Sequence, residues 1–203
     1  MSEADRWDDR YASSDYVFGT NPAAFLVEQA DWLPPQSEIL AVADGEGRNG
    51  VWLAEQGHRV VSIDVSAQGL AKAAKLARDR KVSLELQIAD LSDWDWPVAR
   101  FDTVVAIFIQ FADPALRDSI FAGMRRSTRP GGRIVLQGYR PEQLDYATGG
   151  PPCSDNMYTQ EMLRAAFGGW TIEHLAAHDS VLEEGSGHSG MSALIDLVAR
   201  KPD

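Results

Sequence analysis

The chain has 203 residues, 44% hydrophobic and 24% charged, with 30 acids against 19 lysines and arginines and a net charge of −11. Such a composition suits one globular domain with a sizeable core, and no apolar run approaches the ~20 residues of a membrane-crossing helix. The negative field disfavours nucleic acid as a partner, because a polyanion would have to overcome it.

Residues 1–37 precede the first strand. They open on MSEADRWDDRY, too acidic and polar for a signal or transit peptide. They also hold Trp7, Tyr11, Tyr16, Phe18, Phe25 and Trp32. Two readings stand together: a helical cap packing its aromatics on the sheet edge, and a lid over a bound ligand. Beyond them strand and helix alternate, the mark of a doubly wound parallel sheet. Strands are expected at 38–42, 59–63, 83–88, 101–108 and 133–137, and helices at 49–56, 67–78, 114–127 and 160–167. Ser66, Asp113 before Pro114, and Thr159 stand where helix caps belong. Two last apolar segments, 171–177 and 192–199, flank EEGSGHSG, which predicts an antiparallel hairpin with a long mobile loop. The expected architecture is a Rossmann-like α/β domain over 1–203, three layers deep. Its core spans 38–203, and its seven-stranded sheet ends on an antiparallel strand. The single cysteine, Cys153, permits no internal disulfide and suits the cytoplasm. Nothing points to a membrane, a metal site or an assembly beyond a monomer or homodimer.

The stretch ILAVADGEGRNGVWLAEQGHRVVSID, residues 39–64, carries the chemistry. A strand, a glycine-rich turn, a helix and a second strand lead to Asp64. From Gly45 to Asp64 is 64 − 45 = 19 positions, close to the roughly 20 of a nucleotide-binding βαβ unit. A carboxylate there is placed to grip the hydroxyls of a ribose. Gly45, Gly47 and Gly50 satisfy the dinucleotide pattern GxGxxG, which suggests NAD or FAD. Read from Ala43, the same turn fits the GxGxG motif of S-adenosylmethionine (SAM) methyltransferases. Asp44 and Glu46 favour SAM without deciding between the two. Acids in the turn would repel a pyrophosphate at the helix N-terminus but suit a ligand carrying a sulfonium and an ammonium. The chain after residue ~100 also looks like more of the same sheet and not a dehydrogenase's second domain.

With these residues in view, the chain resembles the class I SAM-dependent methyltransferases, and within them the small tellurite-resistance and thiopurine-type enzymes. The matching pieces are Trp7-Asp8-Asp9-Arg10-Tyr11, Phe18-Gly19-Thr20-Asn21-Pro22, Gly45-Glu46-Gly47-Arg48-Asn49, Val60 to Asp64, Ala89-Asp90-Leu91, Phe101-Asp102 running into Val104 to Phe108, and Arg129-Pro130-Gly131-Gly132. The resemblance implies that Ala43, Asp44, Gly45 and Gly47 lie under the methionine part of SAM. Asp64 and Val65 would meet the ribose, Asp90 and Leu91 the adenine, and Phe108 the transferable methyl. It implies a small-molecule acceptor, a thiol or chalcogen compound, and S-adenosylhomocysteine as product. The rivals are an NAD-dependent oxidoreductase and a non-catalytic SAM- or nucleotide-binding module.

Two departures bear on the cofactor. The family usually carries an acid where Ala41 stands and a glycine where Ala43 stands. Asp44 is expected to replace the acid by facing the SAM ammonium. Ala43 is expected to keep a negative φ, because its Cβ penalises the alternative.

Methyl transfer is an in-line displacement that needs alignment more than acid–base machinery. A base is required only for an acceptor that arrives protonated. Relatives often place a histidine after the fourth strand, where this chain has Gln110. His188, in Gly185-Ser186-Gly187-His188-Ser189-Gly190, is the candidate for substrate contact or proton removal, with Gln110 beside it. His174 and His178 read as strand surface, and Arg48 and Asn49 as structural residues opening a helix. Trp7, Tyr11 and Phe18 in the lid, with Tyr139 and Arg140 after the fifth strand, complete the expected acceptor side.

Overall fold

Aliphatic strands buried on both faces form the middle of the molecule, as parallel strands covered by helices must be. In the computed structural model, which describes residues 2–203, β1 (Glu38–Val42), β2 (Arg59–Asp64), β3 (Glu85–Ile88), β4 (Phe101–Ile107) and β5 (Thr128–Tyr139) run parallel. β6 (Thr171–Glu184) and β7 (His188–Arg200) complete one seven-stranded sheet of order β3-β2-β1-β4-β5-β7-β6, with β7 antiparallel to both neighbours. The helices are α1 (Glu3–Tyr11), α2 (Ala24–Glu28), α3 (Arg48–Glu55), α4 (Ala67–Arg80), α5 (Pro114–Ser127), α6 (Gln143–Tyr146) and α7 (Gln160–Ala166).

The period-2 alternation of the strands divides the core between the faces. Leu40, Val42, Val104, Ala106, Ile134 and Leu136 pack with Ile120, Phe121 and Met124 of α5 and Leu163 of α7. Their neighbours Ile39, Ala41, Val105, Ile107 and Val135 pack with Phe25 and Leu26 of α2 and Leu53 of α3. The three expected caps form: Ser66 Oγ accepts from the Gly69 amide at 2.9 Å, Asp113 from that of Leu116 at 2.9 Å, and Thr159 from that of Met162 at 3.2 Å.

Three expectations need correction. The third strand begins at Glu85, two residues later than its apolar pattern suggests. The Arg129-Pro130-Gly131-Gly132 turn lies inside β5, which starts at Thr128 and slips register against β4 between Phe101 and Thr103. The long mobile loop does not exist. Glu184 pairs directly with His188, leaving a three-residue turn, Gly185 to Gly187. Gly185 at φ 68° supplies the positive φ such turns need, and the N-terminal segment clasps the tip through Gly187 N–H donating to Val17 O at 2.9 Å. A Cβ on Gly185 would stand 2.4 Å from Val17 O.

The N-terminal residues are tied to the carboxyl ends of the strands. Asp8 accepts from the Gln68 amide at 3.0 Å, Tyr16 Oη donates to Lys72 O at 3.1 Å, and Ala23 N–H donates to Asn49 Oδ1 at 2.9 Å. Trp7 stacks on Tyr11 with ring centroids 5.4 Å apart. Phe25 instead joins the core under the sheet, and Trp32 lies partly exposed beneath the Arg133 guanidinium. No helix among the described residues is long and apolar enough to cross a membrane.

Candidate active site

The turn between β1 and α3 is built from positive φ: Ala43 at 47°, Gly45 at 58° and Gly47 at 85°. Ala43 therefore departs from its expected negative φ and holds a conformation costing an L-residue roughly 1–2 kcal/mol. Its surroundings impose this, since Asp44 N–H donates to Ile63 O at 3.1 Å and Gly47 N–H to Asp44 O at 3.0 Å. Phe108, at the end of β4, is also at positive φ, 57°, and it too lines the site described below. Gly47 does not line it. A Cβ there would stand 2.5 Å from Ala73 Cβ, so this glycine lets α3 close on α4.

Asp64 ends β2 as a buried carboxylate. One oxygen accepts from the Gly45 amide and the other from the Ser66 amide, both at 2.8 Å, and the Val65 amide adds to them, leaving the carboxylate room for a further donor. Burial raises its pKa to about 6 against those hydrogen bonds. Asp44 does not face a ligand ammonium as expected. Its carboxylate turns inward, accepting from Gly50 N–H at 3.1 Å and Ser62 Oγ at 2.9 Å, and burial raises its pKa to about 7. It thus organises the loop, which the acid missing at Ala41 would otherwise do. Glu46 is also consumed, by the Val17 amide at 2.8 Å and the Lys72 ammonium at 2.7 Å. With both carboxylates occupied by protein donors, the two acids act on a ligand only through their field.

A cavity of about 650 Å³ opens above this turn. Trp7 and Tyr11 of α1 and Phe18 wall one side. Ala43, Asp44, Gly45 and Asp64 form the floor, and Phe108, Gln110, Tyr139 and His188 close the far wall. Beside it lies a narrow cleft of about 20 Å³ where Val65, Asp90 and Leu91 meet, sharing Ala43, Asp64 and Phe111 with the cavity. Asp90 is exposed and accepts from the Ser92 amide at 2.9 Å, while Leu91 is buried in the core.

The far wall brings together residues distant in sequence. His188 is buried, its ring 4.5 Å from that of Phe18, 4.4 Å from Phe108 and 5.9 Å from Tyr139. Its Nδ1 lies 3.4 Å from Glu184 Oε2, which also accepts from Arg48 Nη2 at 2.8 Å. Burial, more than any neighbour, holds the imidazole below its ordinary pKa, so it is neutral at neutral pH. Two expected residues are placed differently. The Gln110 amide donates to Tyr139 O at 2.9 Å and accepts from Tyr139 N–H, continuing the β4–β5 pairing past the end of β4. With both of its polar atoms used on backbone, it is a brace. Arg140 points away and pairs with Asp179 and Glu142. Glu184 escaped the sequence reading. The signal for it was the glycine-flanked turn, since a three-residue turn sets residues four apart opposite each other across the hairpin.

His174 and His178 lie on β6, where His178 Nε2 is 2.7 Å from Asp196 Oδ2. Among the described residues no group of three or more histidines, cysteines, aspartates or glutamates could hold a metal ion.

A glycine turn after β1, a buried acid ending β2 and a walled cavity at the carboxyl ends of the strands define a nucleotide-cofactor site of an open α/β sheet. Residues 39–132 match the family described as Methyltransferase domain. Ribosomal protein L11 methyltransferase of Methylococcus capsulatus is 30% identical over 63% of this chain, which spans only 42% of that relative. Thiopurine S-methyltransferase of Pseudomonas putida is 26% identical over 96% of both chains. The solved N-methyltransferase NodS of Bradyrhizobium japonicum, in complex with S-adenosylhomocysteine, has the same fold, with a TM-score of 0.74 and 15% identity over 98% of both chains. These likenesses support a class I SAM-dependent methyltransferase, a group whose cofactor is SAM. The site fits SAM: the carboxylate of Asp64 keeps accepting capacity for a hydroxyl donor, and the cavity volume lies within the usual 300–1,000 Å³ of ligand sites.

Proposed function

We propose that this chain methylates a small-molecule acceptor inside the cavity, within one domain whose residues 1–37 serve as its lid. The observation that carries the reading is the meeting of two walls in one cavity. The Asp64 side is shaped for a cofactor, and the Phe108–His188 side is aromatic and holds a neutral base. Bound SAM supplies a methyl group on a sulfonium, already a good leaving group. The chain's own work is then to bind, orient and dehydrate. Asp64 accepts hydrogen bonds from the ribose hydroxyls, the turn from Ala43 to Gly45 underlies the methionine end, and Asp90 and Leu91 flank the adenine through the narrow cleft. Trp7, Tyr11 and Phe18 exclude water, and aromatic faces stabilise a sulfonium by about 0.5–2 kcal/mol. His188, held by Glu184 at Nδ1, offers Nε2 to a proton on the acceptor. The thiopurine relative is named for a sulfur acceptor, and this supports a thiol or chalcogen compound here. The relative named for a ribosomal protein raises a macromolecular acceptor, which the net charge of −11 disfavours only where that partner is an acid polymer.

Calorimetric titration with SAM, S-adenosylhomocysteine and NADH, beside Asp64→Ala, tests this. Saturable binding of the two adenosyl ligands, lost in the variant, is expected. Binding of NADH alone would replace the reading with an oxidoreductase. SAM binding with no turnover across thiols, selenols, amines and hydroxyl compounds would leave a binding module.

A further inference from the structure

We infer that the acceptor carries an anionic group of carboxylate character, received by Arg48 and the Tyr139 hydroxyl on the inner wall of the cavity; this rests on the methyl-transfer reading above. Arg48 is the first residue of α3 and lines the cavity, yet it is only 6% exposed. Its Nη2 donates to Glu184, but its Nη1 is buried with no acceptor among the described residues. Glu184 is in turn shared with His188, so a single carboxylate serves both groups. Tyr139 also lines the cavity, and its hydroxyl is the second buried donor there without a partner. Burial holds that phenol protonated, so it can only gain by donating. Buried donors are paired in folded proteins with few exceptions, and two exceptions on residues lining one cavity point to an occupant there.

The surroundings set the sign of that occupant. Arg10 sits at the cavity rim with its guanidinium over the Phe18 and Trp7 rings, at 5.2 and 5.5 Å, and it has no carboxylate partner among the described residues. The acids of the floor are tied to the other side of the cavity: Asp44 to Gly50 and Ser62, Asp64 to Gly45 and Ser66. An anion on the far wall would therefore meet the Arg48 guanidinium and a phenol, with the Arg10 guanidinium at the rim adding to the positive field, in a space that aromatic rings keep dry, where such contacts are stronger than in water. A neutral acceptor would leave Arg48 Nη1 half-used.

The probe is benzoate, an aromatic carboxylate sized for such walls, with benzamide as its neutral isostere. Both are titrated into the protein saturated with S-adenosylhomocysteine. Benzoate is expected to bind at least about tenfold tighter than benzamide, the scale of a charge-assisted hydrogen bond. Arg48→Gln should erase that preference and Tyr139→Phe should reduce it about fivefold, while S-adenosylhomocysteine affinity stays within about twofold of the parent. Tyr139→Phe removes only a hydroxyl without a partner, so its thermal unfolding should match the parent's even if Arg48→Gln unfolds. Equal binding of benzoate and benzamide would overturn the inference. So would a loss of S-adenosylhomocysteine affinity in Arg48→Gln with 5′-methylthioadenosine affinity intact, which would give Arg48 to the cofactor's own carboxylate. If S-adenosylhomocysteine itself fails to bind the parent protein, the methyl-transfer reading falls first.

Discussion

The two halves of the sheet build the site by different means. The parallel half delivers its residues from turns immediately after short strands: Ala43 and Gly45 after β1, Asp64 closing β2, Phe108 after β4. The antiparallel half is a long hairpin whose strands carry His188 and Glu184 across to the cavity, where they meet Arg48 from 136 residues earlier. The first half is local and held by backbone hydrogen bonds to buried carboxylates. The second is non-local and held by a buried ion pair. On the function proposed above, cofactor recognition is written into a turn, whereas acceptor recognition depends on two distant segments docking.

The comparison breaks most readily at Glu184. Glu184→Ala leaves the buried Arg48 guanidinium without its partner and should cost about 3–5 kcal/mol in denaturant unfolding, with His188 released from its orientation. A loss near zero would mean the hairpin tip is held by other contacts. Gly185→Ala should cost about 2 kcal/mol, because its φ of 68° and the 2.4 Å approach to Val17 O both oppose a Cβ. The same unfolding measurement checks it.

The turn half should show itself through pH. Asp44 has a pKa of about 7 in the fold against 3.8 as a free side chain, so the folded state binds the extra proton between those values. Stability from this group is full below pH ~4 and is lost as pH rises towards 7, with a slope of at most about 1.4 kcal/mol per pH unit. Asp64 adds the same sign up to about 6. His188 opposes them, because its depressed pKa makes the fold lose stability as pH falls below the ordinary histidine value. Asp44→Asn should flatten the decline between pH 4 and 7, as read by unfolding at a series of pH values. An unchanged profile would remove Asp44 as its source. The smallest effect is a gain. Ala43→Gly relieves a φ of 47° and should stabilise the chain by about 0.5–1 kcal/mol net of the added backbone entropy.

Much of the parallel half was legible in the sequence because its signals are local. Ser66, Asp113 and Thr159 cap helices three residues away, and Leu40, Val42 and their neighbours alternate with the pleat. The spacing from Gly45 to Asp64 brought the pair to 2.8 Å. What stayed hidden depends on direction. A sequence shows that Asp44 is an acid in a turn, but not that Ser62 Oγ and Gly50 N–H draw it inward. Likewise Gln110 looked exposed to chemistry until the backbone of Tyr139 claimed its amide. The hairpin read as a long loop because glycine and serine are equally at home in mobile segments and tight turns. The contact that selects the turn comes from Val17, some 170 residues upstream.

That clasp sets the order in which the protein becomes competent during its own synthesis. The segment around Val17 is made some 170 residues before the hairpin tip it holds, and domains generally fold from the N-terminal side as they are made. The β1–β2 turn can form while most of the chain is still being added, yet the far wall has no histidine until residue 188 arrives. A ribosome-bound fragment ending before β7 (His188–Arg200) would carry the β1–α3 turn and Phe108, Gln110 and Tyr139 of the far wall, but not the imidazole between them. On the proposed function, the timing of translation would thereby separate cofactor binding from chemistry.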